Sequence, residues 1–73
     1  MRENKLRALW AQGKPALNGW LAIPNGFAAE VMAHQGWDTL TIDMQHGLAD
    51  PLVLVPMLQA MQATPTMPVV RVP

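Results

Sequence analysis

The sequence predicts an α/β fold: one helix, then about three parallel strands with crossover helices, as in the N-terminal part of a TIM (β/α)8 barrel. Apolar runs of strand length alternate with helix-length segments along the 73 residues, which is typical of a parallel sheet. Strands are expected to start near positions 18, 39 and 69, and eight units of roughly 20–30 residues make the ~250 residues of a barrel. Three parallel strands alone leave open edges. We therefore expect residues 1–73 to be the N-terminal fragment of a single barrel domain.

The first helix and the first strand are predicted from a change of apolar spacing. Apolar side chains and a terminal glycine recur at the spacing of one helical face within residues 3–12 and just beyond, at Leu6, Leu9, Trp10 and Gly13. Gly13 suits the end of that helix, because glycine readily adopts the left-handed conformation found there. The apolar run from Asn18 to Ile23, closed by Pro24, predicts a buried strand.

The second helix is predicted from about Gly26 to Gln35, with Asn25 as its N-cap and Gly36 as its stop. Its expected apolar face consists of Phe27, Ala28, Val31 and Met32. The β-branched run from Thr39 to Asp43 then predicts the second strand.

The third helical region begins with good capping chemistry, at Asp50 and Pro51. Pro56 predicts a broken start, because an internal proline loses a hydrogen bond and clashes one turn back. We expect the regular helix to run from Pro56 to about Ala63. Its expected buried stripe is Leu54, Met57, Leu58 and Met61. The run Val69–Val72 predicts the third strand.

Charge and composition exclude several classes of function. Five basic residues balance five acidic ones, so nothing indicates a nucleic-acid partner or an anionic membrane surface. No apolar run approaches the ~20 residues of a membrane span, and the N-terminus lacks the apolar core of a signal peptide. The chain has no cysteine, which fits a cytoplasmic protein.

The candidate functional residues follow the predicted strands. Ligands of parallel α/β proteins bind beyond the carboxyl ends of the strands, where this sequence has Trp20, Asp43, His46 and Arg71. An aromatic ring, an imidazole and a guanidinium suit a small anionic substrate that undergoes proton transfer. Other interpretations remain open: His46 as a helix cap or, with Asp43, a metal ligand; Arg71 in a structural salt bridge; Trp20 as packing.

These segments carry a family resemblance. The stretch GWDTLTIDMQHG (36–47), followed by PVVRVP (68–73), resembles the HpcH/HpaI aldolase family, which includes 4-hydroxy-2-oxoheptanedioate and 2-dehydro-3-deoxyglucarate aldolases. NGWL (18–21) and FAAEVMA (27–33) fit the same opening pattern. The resemblance covers the N-terminal portion of such an enzyme. It implies a class II pyruvate aldolase, a lyase that reversibly cleaves 4-hydroxy-2-oxo acids to pyruvate and an aldehyde, as in aromatic compound catabolism.

The resemblance also implies roles for individual residues. His46 matches the catalytic acid/base, acting through metal-bound water; Arg71 and Trp20 match substrate-binding residues at the pyruvate. The divalent metal, Mg²⁺, Mn²⁺ or Co²⁺, is expected to be bound by residues beyond this chain, and the full-length protein to be a homo-hexamer. Many members have Glu where this chain has Gln45, which we interpret as a change in pocket polarity.

Two hypotheses from different classes follow. The first is the metal-dependent lyase, with the 73-residue chain inactive by itself because its only strand-end carboxylate is Asp43. The alternative is a truncated, catalytically inactive fragment that acts only by association with other chains.

Overall fold

The computed structural model describes residues 3–73 and contains, within them, three helices and three strands. In chain order these are α1 (Lys5–Ala11), β1 (Asn18–Leu21), α2 (Gly26–Ala33), β2 (Thr39–Asp43), α3 (Pro51–Met61) and β3 (Met67–Arg71). The strands form one parallel sheet in the order β1–β2–β3. The predicted α/β architecture is confirmed. None of the helices in the described part is long and apolar enough to cross a membrane.

The central strand β2 organises the core, because all five of its residues are buried. Alternate side chains of a strand point to opposite faces, and Leu40 and Ile42 of β2 face α2 and α3. Neither side chain has measurable exposure. The core on this face is completed by Leu21, Ala29, Ala33, Ala49, Met57 and Met61.

The predicted helix caps are present. The side chain of Asn25 accepts a hydrogen bond from the backbone N–H of Ala28 at 3.0 Å, and that of Asp50 accepts from Val53 at 2.9 Å. Each satisfies one of the unpaired N–H groups of the first helical turn. Gly13, two residues after α1, has a φ of 68°, the left-handed conformation expected at its end.

The predicted apolar face of α2 is wrong in part. Phe27 is 74% exposed and Val31 is 45% exposed, whereas Ala29 and Ala33 are fully or almost fully buried. The smallest side chains of α2 face the core, and this allows α2 to pack closely on the sheet and on α3. Local periodicity cannot distinguish this arrangement from a stripe of large residues, because both repeat every three or four positions.

The predicted break at Pro56 is also wrong, since α3 runs without interruption from Pro51 to Met61. Proline at position 56 removes the bond that its N–H would give to the carbonyl of Leu52. Leu52 is 87% exposed, so water can donate a hydrogen bond to that carbonyl. The buried residues Met57 and Met61 then hold the helix on the core, and tertiary packing outweighs the local cost.

The outer strands and α1 differ from expectation at their ends. The first strand stops at Leu21 because the chain turns there, with the N–H of Asn25 bonded to the carbonyl of Ile23 at 3.0 Å. The third strand starts at Met67, which donates to the carbonyl of Asp38, the residue just before β2. Pro68 points its missing donor away from β2 and therefore costs no ladder bond. The apolar stripe of α1 is only partly covered, and α1 buries no residue fully.

The core on α3 generates a stability prediction. Met57→Ala should lower the free energy of unfolding by about 2–5 kcal/mol, because it leaves a cavity beneath the helix. Leu52→Ala removes a similar volume from the exposed side of the same helix and should change it by about 0.5 kcal/mol or less. Urea unfolding of both variants checks this, and equal destabilisation would contradict the packing described here.

Candidate functional site

Three of the chemically distinctive side chains meet at the carboxyl end of the sheet. Asp43, the last residue of β2, pairs in register with Arg71, the last residue of β3. Trp20 of β1 pairs in register with Thr41, two residues before Asp43. Because strand residues two apart share a face, all three side chains lie on the face opposite α2 and α3.

The centre of the site is a two-pronged ion pair. Arg71 Nε donates to Asp43 Oδ1 at 3.0 Å, and Arg71 Nη2 donates to Asp43 Oδ2 at 2.6 Å. The Arg71 side chain is 38% exposed, whereas the Asp43 side chain is 4% exposed. The guanidinium carbon also lies 4.9 Å from the centroid of the Trp20 ring, a cation–π distance. The salt-bridge interpretation of Arg71 is therefore correct as far as one edge of its guanidinium is concerned.

The Asp43 carboxylate accepts three further hydrogen bonds. Trp20 Nε1 donates to Oδ2 at 3.2 Å, and the backbone N–H groups of Gln45 and His46 donate to Oδ1 at 2.9 and 3.1 Å. The Arg71 guanidinium, and after it these backbone donors and the indole, hold the pKa of Asp43 well below its usual range, against the opposing effect of desolvation. The Asp43 carboxylate in turn raises the pKa of Arg71.

His46 lies in the loop between β2 and α3 and is exposed. Its backbone is fixed by Asp43, while its imidazole makes no hydrogen bond within residues 3–73. The interpretation of His46 as a helix cap is wrong, because Asp50 caps α3. The imidazole is therefore available to a ligand.

Gly47 keeps this loop close to the end of β2. A Cβ atom at this position would collide with the carbonyl oxygen of Asp43 and approach Ala22 to 3.2 Å. The backbone N–H of Leu48 bonds to the carbonyl of Ala22 at 3.3 Å. The loop is thus tied to the end of β2 and to Ala22, the residue that follows β1.

The donor groups of the described residues decide whether this part of the chain can ligate a metal ion. Residues 3–73 contain no group of three His, Asp or Glu side chains that could hold a metal ion. A carboxylate offers about four lone-pair sites, and Asp43 already accepts five N–H donors. Asp43 is therefore not suited to be a metal ligand, and residues 3–73 do not by themselves fit the metal that the resemblance implies.

A depression lies at the opposite, amino end of the sheet. It is lined by Lys5, His34, Trp37 and Asp38 among others. The carboxylate of Asp38 is occupied by the backbone N–H of Leu17 at 2.8 Å. The strand ends of parallel α/β proteins that bind ligands are the carboxyl ends, so we place the candidate site at Asp43.

Comparisons with known proteins find relatives named as aldolases. A hydroxypyruvate/pyruvate aldolase from Rhizorhabdus wittichii is 43% identical over 68 residues, and a 4-hydroxy-2-oxo-heptane-1,7-dioate aldolase from Escherichia coli is 35% identical over 69. They match 93% and 94% of this chain, and 27% and 26% of their own lengths. The chain thus spans just over a quarter of these curated relatives. No protein-family model matches it.

Two solved structures share the fold. A HpcH/HpaI aldolase/citrate lyase family protein from Burkholderia cenocepacia superposes with a TM-score of 0.83 at 39% identity, covering 94% of this chain and 28% of its own. A citrate synthase variant superposes with a TM-score of 0.80 at 28% identity, covering 92% and 30%.

The three-stranded parallel sheet with its helices matches the N-terminal part of a TIM-barrel aldolase structure, as the sequence predicted. In sequence, the chain is similar to part of enzymes named as hydroxypyruvate/pyruvate and 4-hydroxy-2-oxo-heptane-1,7-dioate aldolases. In structure, it is similar to part of a HpcH/HpaI aldolase/citrate lyase family protein. The resemblance seen in the sequence is confirmed.

The structure brings two of the three predicted site residues into direct contact. Trp20 and Arg71 stack on one another, and His46 lies on the adjoining loop, tied to them through Asp43. The role of Asp43 as the partner of Arg71 was missed, since the sequence placed it at a strand end and considered it further only as a possible metal ligand. A signal was available: a charge on one buried strand requires an opposite charge nearby, and Asp43 and Arg71 each end or nearly end a predicted strand.

The ion pair generates a pH prediction. The pKa of Asp43 is lower in the folded than in the unfolded chain, so the carboxylate stabilises the fold fully above the ordinary Asp pKa of about 3.9. That contribution is lost as the pH falls below this value. Asp43→Asn should be less stable than the wild type by a constant amount between about pH 7 and 5, and the difference should shrink below about pH 4. Urea midpoints across this range measure it. A difference that persists unchanged at pH 3 would contradict the prediction.

Proposed function

We propose that this chain forms the N-terminal portion of a pyruvate aldolase barrel that cleaves 4-hydroxy-2-oxo acids to pyruvate and an aldehyde. In this proposal His46 is the catalytic acid/base, Arg71 binds the carboxylate and enolate of the pyruvate unit, and Trp20 lines its site. The relatives named as aldolases support the reaction class.

The observation that carries the proposal is that Asp43 engages only some of the N–H groups of the Arg71 guanidinium. Asp43 occupies Nε and one N–H of Nη2, and a guanidinium has five N–H groups in one plane. Three N–H groups remain. One on Nη1 and one on Nη2 are parallel and can donate hydrogen bonds to the two oxygens of a second carboxylate. The side chain is partly exposed, so a small anion can reach this edge.

The proposed reaction needs one proton to be moved and returned. His46 removes the proton of the 4-hydroxyl group, the bond between C3 and C4 breaks, and the aldehyde leaves. The electron pair of that bond becomes the enolate of pyruvate, and the proton is then returned to C3. Arg71 stabilises the enolate and the carboxylate, where directed N–H groups act best in a water-poor site. A histidine side chain suits both transfers near neutral pH.

The implied divalent metal enters this proposal only through residues outside the chain. Such an ion supplies Lewis-acid stabilisation of a 2-oxo acid. Residues 3–73 lack the ligands for it, and we propose that they belong to the remainder of the barrel. In the experiments below, "complete barrel" means this chain continued either by its own downstream sequence or by the remainder of the Rhizorhabdus wittichii relative.

The alternative function is an inactive chain that associates with other chains. Its support is the exposure of large apolar side chains on the helices, such as Phe27 at 74% and Leu52 at 87%. The reading frame beyond Pro73 distinguishes the two. Further strands that end in a glutamate and an aspartate favour the aldolase, and a stop codon favours the alternative.

The test of the proposal is His46→Ala in the complete barrel. Loss of a placed acid/base should lower kcat by about 10²–10⁴-fold, while Tm stays near that of the wild type because the exposed imidazole makes no hydrogen bond within residues 3–73. His34→Ala, which changes an exposed histidine at the other end of the sheet, is the matched control and should keep full activity.

Pyruvate release from a panel of 4-hydroxy-2-oxo acids, with divalent metal added, measures both variants. Unchanged kcat in His46→Ala would refute the assigned role. Because a citrate synthase variant shares this portion of the fold, citrate formation should be assayed in parallel. A barrel that forms citrate and releases no pyruvate would refute the aldolase proposal.

Arg71→Lys tests the second edge of the guanidinium. Lysine retains the charge but cannot hold Asp43 and a substrate carboxylate in one plane, so kcat/KM should fall on the order of 10²-fold or more. Arg7→Lys on the exposed surface of α1 is the control and should be neutral. Near wild-type kinetics in Arg71→Lys would mean that Arg71 serves only as a structural ion pair.

A further inference from the structure

We propose that Asp43 is a positioning residue, whose carboxylate holds Arg71, Trp20 and the loop bearing His46 in a single arrangement. This inference rests on the proposed function, because it concerns how that site is kept in order. Asp43 itself is buried, so it acts through these neighbours and does not touch the substrate.

The hold on Arg71 is geometric. A long arginine side chain has several rotatable bonds, and ordering it costs conformational entropy. The two hydrogen bonds from Nε and Nη2 to Asp43 fix both the place and the plane of the guanidinium. Since Asp43 and Arg71 are register partners at the ends of adjacent strands, the backbone brings the carboxylate to the same place each time the sheet forms.

The hold on Trp20 completes the stack. The indole Nε1 donates to the oxygen, Oδ2, that also receives Arg71 Nη2. One carboxylate oxygen therefore sets the distance between the ring and the guanidinium, which is 4.9 Å from the ring centroid to the guanidinium carbon. The ring covers one face of Arg71 and leaves its outer edge open.

The hold on the loop places His46. Asp43 Oδ1 accepts the backbone N–H groups of residues 45 and 46, as short polar side chains do when they shape a turn. Gly47 allows the loop to lie directly against the Asp43 backbone. The Cα atom of His46 is thus fixed relative to the same carboxylate that fixes Arg71.

A double-mutant cycle in the complete barrel tests this inference. Asp43→Asn is nearly isosteric but cannot accept hydrogen bonds at its amide nitrogen, so kcat/KM should fall on the order of 10²-fold. In the Arg71→Ala background there is no guanidinium left to position, and the remaining oxygen of the asparagine can still accept from the backbone N–H groups of residues 45 and 46. The same change should therefore cost only a few fold at most there. Asp38→Asn, which alters another carboxylate of the same polypeptide segment that accepts a backbone N–H, should leave kcat/KM unchanged.

A second variant separates position from charge and from folding. Asp43→Glu retains the negative charge but moves the carboxylate by one C–C bond, about 1.5 Å. Its kcat/KM should stay on the order of 10²-fold below the wild type, even where its Tm is close to that of the wild type.

The outcomes are distinct. Equal losses for Asp43→Asn in the wild-type and Arg71→Ala backgrounds, or full activity in Asp43→Glu, would overturn the positioning role while the aldolase proposal stood. A complete barrel that releases no pyruvate, or full activity in Arg71→Ala, would instead overturn the proposed function and, with it, this inference.

Discussion

The burial of a carboxylate at the end of the central strand is the constraint on which the rest of the site depends. Every residue of β2 is buried, and an ionised group is costly there unless it is paired and fully hydrogen-bonded. Asp43 meets that requirement with five N–H donors drawn from β1, from β3 and from its own loop. The elements that carry the candidate site residues are therefore tied together by the same interactions that make the buried charge tolerable.

The two faces of β2 differ in chemistry: one is apolar and packs on the helices, and the other is polar. Leu40 and Ile42 are apolar and bind the sheet to the helices, which stabilises the fold. On the other face, Thr39 and Thr41 donate to the side-chain oxygen of Asn18 at 2.7 and 2.9 Å. These two residues precede Asp43 on the same face of β2. The polar face is thus internally satisfied up to the strand ends. Unused hydrogen-bonding capacity is left at Arg71 and at His46, at the edge that a ligand can reach.

The parts of the structure that could be predicted from sequence are those decided by local chemistry. The bounds of β2 and the caps Asn25 and Asp50 follow from residues next to one another in the chain. The unbroken helix through Pro56 and the buried alanine face of α2 could not be predicted, because each depends on what the helix packs against. The same holds for the site: His46, Arg71 and Trp20 were identified from strand ends and family resemblance, whereas the ion pair required the register of β2 against β3.

The structural and the functional interpretations of Arg71 are compatible, because they use different edges of one guanidinium. The edge formed by Nε and one side of Nη2 neutralises Asp43, so the pair carries little net charge. An anionic ligand at the remaining edge is then recognised chiefly by the direction of the N–H groups and less by an excess of positive charge. Directed donors retain their strength only if they are held still. The salt bridge that first appears to compete with a binding role for Arg71 is the interaction that makes such a role effective.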